Sequence, residues 1–261
     1  MQTVLRVALA LYLAHLLTDF VFQNSRLVQQ KQSGDARGYL KHGAIHFVCA
    51  ILIGGFFLPG EVLSGRFYLV VLGLTLVHLA IDVGKIRLAK AHVTGDGTLP
   101  FVVDQIFHAA TVAIAAWLIV GTVPLSELLA GVDAIRGASN RILLALTVYV
   151  AVMFAGGYLI RSMTRPLMLH VHTRESRSEL VHAGMYIGWL ERFLVLTALL
   201  LHSPATVGLI IAAKSIARYP EFKNDQFAEY FLIGTLLSIS IAILGGVLLQ
   251  KVFYGHYALP A

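Results

Sequence analysis

Six stretches of about 20 largely apolar residues punctuate the chain, at 3–23, 40–59, 67–88, 101–121, 141–161 and 227–250. Each is long enough to cross a bilayer as a helix. A further apolar region, 180–219, is broken at Ser203-Pro204 and reads as two more helices. The pattern predicts an all-α, polytopic helical membrane protein with about eight transmembrane helices. The first stretch has no small-residue cleavage site and is interrupted late by Asp19, so it reads as a retained helix. Polar, turn-forming sequence separates the stretches: SGDARG after the first, Pro59-Gly60 after the second, AHVTGDGTLP between the third and fourth. The mixed-polarity segment 122–140 has room for a short surface helix. A boundary between two helical modules, 1–125 and 126–261, is expected there.

Composition sharpens this picture. The chain of 261 residues is 57% hydrophobic and 13% charged, against roughly 25% charged in soluble domains. The formal charge of +6 does not mark a nucleic-acid partner, because the basic residues gather in alternate loops. Loop 24–41 carries Arg26, Lys31, Arg37 and Lys41, loop 85–100 carries Lys85, Arg87 and Lys90, and loop 161–179 carries Arg161, Arg165, Arg174 and Arg177. The loops between them hold one basic residue each. Lysine and arginine accumulate on the cytoplasmic side, so the N-terminus is expected outside and the protein in the inner membrane. The single cysteine, Cys49, lies within an apolar stretch, rules out an intramolecular disulfide and reads as a packing residue.

Candidate chemistry sits in four pairs: His15/Asp19, His42/His46, His78/Asp82 and Asp104/His108. Each is spaced i, i+4, which puts both side chains on one helix face. Ionisable groups inside apolar spans are costly and face a bundle interior. The expected topology brings all four pairs within about 12 Å of the same, cytoplasmic, membrane face at 1.5 Å rise per residue. Five imidazoles and three carboxylates suit one or two divalent ions, with zinc first and manganese or iron as alternatives. Gln23, Gln105 and Lys85 stand next to ligands and are candidates for orienting them or the substrate. In the second module, Lys214 and Arg218 are spaced i, i+4 and Glu229 opens the next span. These three are candidates for a phosphate or lipid head group, or for an ion-pair set with Glu191 and Arg192 that fixes helix packing.

The arrangement HLLTDFVFQ, KHGAIHF, HLAIDVGK and DQIFHAA resembles a bacterial family of small integral-membrane proteins known only as a domain of unknown function, over about residues 5–120. The resemblance implies a membrane protein and brings no established activity. HxxxD pairs are also similar to those of cation-diffusion facilitators, and HxxxH near the cytoplasmic face to membrane fatty-acid desaturases. The chain lacks the HxxHH clusters of the latter, and its ligands lie near one face instead of midway along a path. No GxSxG, HExxH or P-loop is visible. The leading expectation is a metal-dependent membrane hydrolase with a cytoplasm-facing di-metal site, acting on a lipid or lipid-linked molecule. A divalent-cation transporter and a metal-stapled sensor or interaction protein are the alternatives.

Overall fold

The computed structural model describes residues 2–91, 97–121, 137–168 and 183–255. Among these there are helices and turns and no strand. Among the described residues, seven helices are long and apolar enough to cross a membrane, and the protein is a multi-pass membrane protein. Among the described residues, too, the region after Pro204, expected as a further span, forms only a thirteen-residue helix, Ala205–Ala217. At 1.5 Å per residue that is about 20 Å, less than the roughly 30 Å of a bilayer's hydrocarbon core.

The residues divide into two compact units, Met1–Val150 and Ala151–Ala261. The boundary expected near residue 125, and the short helix expected in 122–140, fall almost wholly outside the described residues. The last helix of the first unit, Ala138–Val150, packs on the first helix of the chain.

In the first unit, α1 (Gln2–Leu16) runs into a π-turn at Leu17–Val21. It is followed by α2 (Ser25–Ser33), α3 (Ala36–Phe57), α4 (Gly65–Lys90), α5 (Thr98–Val120) and α6 (Ala138–Val150). Helix α1 packs on α3 and α5, α4 packs on the same two, and the four close into a ring. Its apolar interior is built from Val7, Leu11 and Ala14 of α1, Phe67 and Val71 of α4, and Ala116 of α5, all at most 1% exposed. Close approach of α3 to α4 requires Gly54: a Cβ there would lie 2.7 Å from Cζ of Phe67. Outward positions are apolar too. Leu52, Phe56, Leu69, Leu76 and Ile106 are between 60% and 81% exposed, which suits contact with lipid and not with water.

Helix α2 lies in a segment the sequence pattern presents as a polar loop. Asn24 caps it, accepting from the Leu27 amide at 2.9 Å, and Gly34 closes it in the left-handed conformation at φ 83°. Its buried side chains are Leu27 and Lys31, one turn apart. Gly38 lets it sit against the start of α3, since a Cβ at Gly38 would meet Gln30 Cβ at 2.7 Å.

The second unit consists of a π-turn at Ala151–Ala155, α7 (Gly156–Met168), α8 (Ala183–Leu200), α9 (Ala205–Ala217), a 3₁₀ turn at Tyr219–Lys223 and α10 (Asp225–Tyr254). Helix α8 packs on α10 and α9, and α7 on α10. Arg192, 5% exposed, donates from Nε and Nη2 to the Met153 carbonyl at 3.2 and 2.7 Å and from Nη1 to Ser238 at 3.3 Å. Met153 lies in the π-turn, where the regular backbone ladder is interrupted and a carbonyl is free to accept.

Candidate metal centre

All four His/Asp pairs converge inside the first unit. The five imidazoles are at most 1% exposed, and Asp82 and Asp104 are each 6% exposed. The His78 ring is central, with ring centroids 4.4 Å from His46, 4.5 Å from His108, 5.0 Å from His42 and 5.3 Å from His15. The helical i, i+4 spacing turns each pair inward, and the closed ring of α1, α3, α4 and α5 brings the four inward faces together.

Hydrogen bonds at the edges fix which ring nitrogens carry protons when the rings are neutral. Gln105 donates from Nε2 to Asp104 Oδ2 at 3.1 Å, so its Oε1 faces His15 Nε2 at 3.4 Å and must accept from it. That leaves a lone pair on His15 Nδ1, which has no hydrogen-bond partner and lies 3.8 Å from Asp19 Oδ2. His108 Nε2 faces two carboxylates, Asp104 Oδ1 at 3.6 Å and Asp82 Oδ1 at 3.8 Å, which favour a proton there. His108 Nδ1 then accepts from His78 Nδ1 at 3.1 Å. His78 Nε2 is left with a lone pair, which accepts from His42 Nε2 at 2.9 Å and lies 3.3 Å from Asp19 Oδ1. Thr75 gives its only hydrogen to the Val71 carbonyl at 2.9 Å, so it accepts from His46 Nδ1 at 2.9 Å.

Asp19 Oδ2 therefore meets the His15 lone pair, while Oδ1 stands 3.2 Å from His42 Nε2 and 3.3 Å from His78 Nε2 and accepts no well-formed hydrogen bond. Acceptor against acceptor in a buried site is repulsive unless positive charge lies between them. The one proton that His42 brings is shared among three such atoms; a divalent ion held between them would engage all three. The donor types fit such an ion. Asp19 Oδ1, His42 Nε2 and His78 Nε2 form a triangle with edges of 2.9, 3.2 and 3.3 Å. Ligand atoms about 2.0–2.1 Å from one tetrahedral ion stand roughly 3.3 Å apart. His15 with His78 and His108, and Asp19 with Asp82 and His108, also place three ligand atoms within 4.8 Å of one another.

Of the eight expected ligands, six thus fall in three-residue sets. His46 and Asp104 stand beside them: His46 stacks on His78, and Asp104 takes Lys85 and Gln105. Lys85 Nζ donates to Asp104 Oδ2 at 2.7 Å, with its side chain 40% exposed. Gln23 donates to the Asp19 carbonyl at 3.3 Å.

Two contributors escape a reading of the sequence. Lys31 donates to Asp82 Oδ2 at 2.7 Å with its side chain 6% exposed. Its sequence signal, a lysine one turn after Leu27, is the usual mark of a solvated helix face. Thr75 stands one turn before His78 on α4, a spacing that marks a shared face without revealing its partner.

The set proposed for a head group in the second unit is distributed. Lys214 donates to Glu191 at 2.6 Å, Arg218 donates to Glu221 at 2.8 and 3.0 Å, and Glu229 is exposed.

Residues 7–133 match the family model described as Protein of unknown function (DUF3307). The match spans all four His/Asp pairs and ends before α6. No curated protein and no solved structure matches the chain.

Proposed function

We propose that the first unit is a metal-dependent hydrolase centre, opening toward the cytoplasm and acting on a lipid or lipid-linked substrate. The observation that carries the metal is the convergence of Asp19 Oδ1, His42 Nε2 and His78 Nε2, which stand 2.9 to 3.3 Å from one another. Asp19, His42 and His78 would hold the ion. Bound there, a divalent cation supplies Lewis acidity and lowers the pKa of water. Zinc is the first choice for such nitrogen and oxygen donors, with manganese or iron as alternatives.

The remaining residues supply the rest of a hydrolytic site. Asp104 Oδ1 has no hydrogen-bond partner and faces His108 Nε2, so this pair can take up and pass on a proton. Gln105 and Lys85 hold the other Asp104 oxygen and set its direction. Lys85 is the most exposed cation at the centre and would meet an anionic substrate group. The apolar interior built on Phe67, Val71, Leu11 and Ala116 supports hydrolysis over transport, because a cation in transit needs polar partners along its path. Burial of all five rings supports a second reading, a sensor or structural protein whose ion staples the helices.

The test is metal analysis of the purified chain with Asp19→Asn and His78→Ala beside it. Incubation in nanodiscs of bacterial phospholipid follows, with lipid products read by mass spectrometry. Bound metal that both variants lose, and hydrolysis products that they fail to make, are expected. Metal retained at full stoichiometry in both variants refutes the centre. Metal without any product refutes the hydrolase and leaves the sensor reading.

A further inference from the structure

Asp82 offers a fourth ligand atom to the centre, a carboxylate oxygen, yet that oxygen already has an owner. Its Oδ2 lies 3.3 Å from His42 Nε2, beside the Asp19, His42 and His78 set. The same oxygen accepts from Lys31 Nζ at 2.7 Å. Lys31 is not a surface lysine that has drifted inward. It is held by a short helix capped at Asn24 and Gly34, by the close approach at Gly38, and by Tyr39, whose hydroxyl donates to the Lys31 carbonyl at 3.0 Å. With its side chain 6% exposed, the ammonium has almost no water and depends on Asp82 for compensation.

Charge counting points the same way. Asp19, Asp82 and Asp104 contribute three negative charges, and Lys31 and Lys85 return two, so the centre carries a net charge of −1 with neutral imidazoles. One divalent ion brings it to +1. A second brings it to +3 in a buried site, where uncompensated charge is expensive.

Resting on the metal reading above, we propose that Lys31 withholds Asp82 from the ion, so that the centre keeps one ion on Asp19, His42 and His78 with a coordination position free of protein. Three protein ligands and an open position distinguish catalytic sites from four-ligand structural ones. Lys31 is thus a positioning residue. It acts through Asp82, and its removal should close the site, not empty it.

The experiment uses the full chain in nanodiscs, loaded with Zn²⁺ or Co²⁺, with stoichiometry by mass spectrometry and affinity by chelator competition. The wild type is expected to bind one ion. Lys31→Met should also bind one, but on the order of tenfold or more tighter, since a nearby positive charge is gone and Asp82 is released to the ion. Its Co²⁺ absorption should change to that of a centre with one more carboxylate oxygen. Lys31→Arg, which keeps the charge, should restore wild-type affinity and spectrum. If Lys31→Met does not fold, the double variant Lys31→Met with Asp82→Asn removes both charges together and should keep one ion at wild-type affinity.

Lys31→Met affinity equal to or weaker than wild type overturns the proposal. A hundredfold loss in the double variant also overturns it, because Asp82 is then a ligand. Two ions in the wild type overturn the one-ion centre while leaving the metal reading intact. No ion in the wild type removes the metal reading beneath it.

Discussion

Thr75 offers a test of the proton arrangement that does not depend on any metal. Its hydroxyl accepts from His46 Nδ1 at 2.9 Å while donating to the Val71 carbonyl, and both side chains are buried, Thr75 at 4% and His46 at 1%. Thr75→Val keeps the β-branched shape and removes the acceptor. The Val71 carbonyl loses little, because it keeps its helical amide partner. The His46 N–H is left without an acceptor in a site that water does not reach. An orphaned buried donor costs about 1–3 kcal/mol, and we expect about 2 kcal/mol of lost stability for the first unit. The assay is reversible unfolding in mixed micelles, followed by the fluorescence of Trp117 on α5 in a Trp189→Phe background. Trp189 is the other tryptophan and lies in the second unit. Thr75→Ser, which keeps the hydroxyl, should lose distinctly less. A Thr75→Val loss under roughly 0.5 kcal/mol, the scatter of surface substitutions, would mean that the hydroxyl does not hold the ring and that the proton placed on His46 Nδ1 is wrong.

Two other predictions address orientation and the second unit. In a Cys49→Ala background, a cysteine at exposed Ser33 should resist labelling from outside intact cells while one at exposed Ser64 should react; the reverse pattern puts the metal centre on the outer face and removes the cytoplasmic substrate argument. Lys214→Met should leave Glu191, 4% exposed, without its partner and cost up to about 3 kcal/mol, with unchanged metal content. The charge-swapped pair Glu191→Lys with Lys214→Glu should recover that stability, whereas a stable Lys214→Met that loses anionic lipid in a native mass spectrum would mark a head-group site.

The chain by itself determined much of this protein. Apolar runs long enough to cross a bilayer announce the helices, because the bilayer core offers no partner for an unpaired backbone group. The i, i+4 pairs announce a polar interior face, since a charged or imidazole side chain in such a run cannot turn to lipid. Both signals are local and periodic, and both survive in the structure at the residues that carry them. The short helix after Pro204 shows the limit of the same reasoning, since hydropathy continued where helical length did not.

What one pair meets from another was decided only by the closing of α1, α3, α4 and α5. No spacing in the sequence says that Asp19 will face His78 as well as His15, or that Thr75 will hold His46. The Asp19–His78 and His46–Thr75 contacts join residues 59 and 29 positions apart, and depend on crossing positions measured in ångströms. Lys31 is the clearest case. Composition and position give it to the cytoplasmic loop charge, where lysines are ordinarily hydrated. A capped two-turn helix, a glycine that admits close contact and a buried carboxylate 51 residues away draw its ammonium onto Asp82 instead. Burial of a charge is set by what surrounds it in space, and only the folded bundle supplies those surroundings.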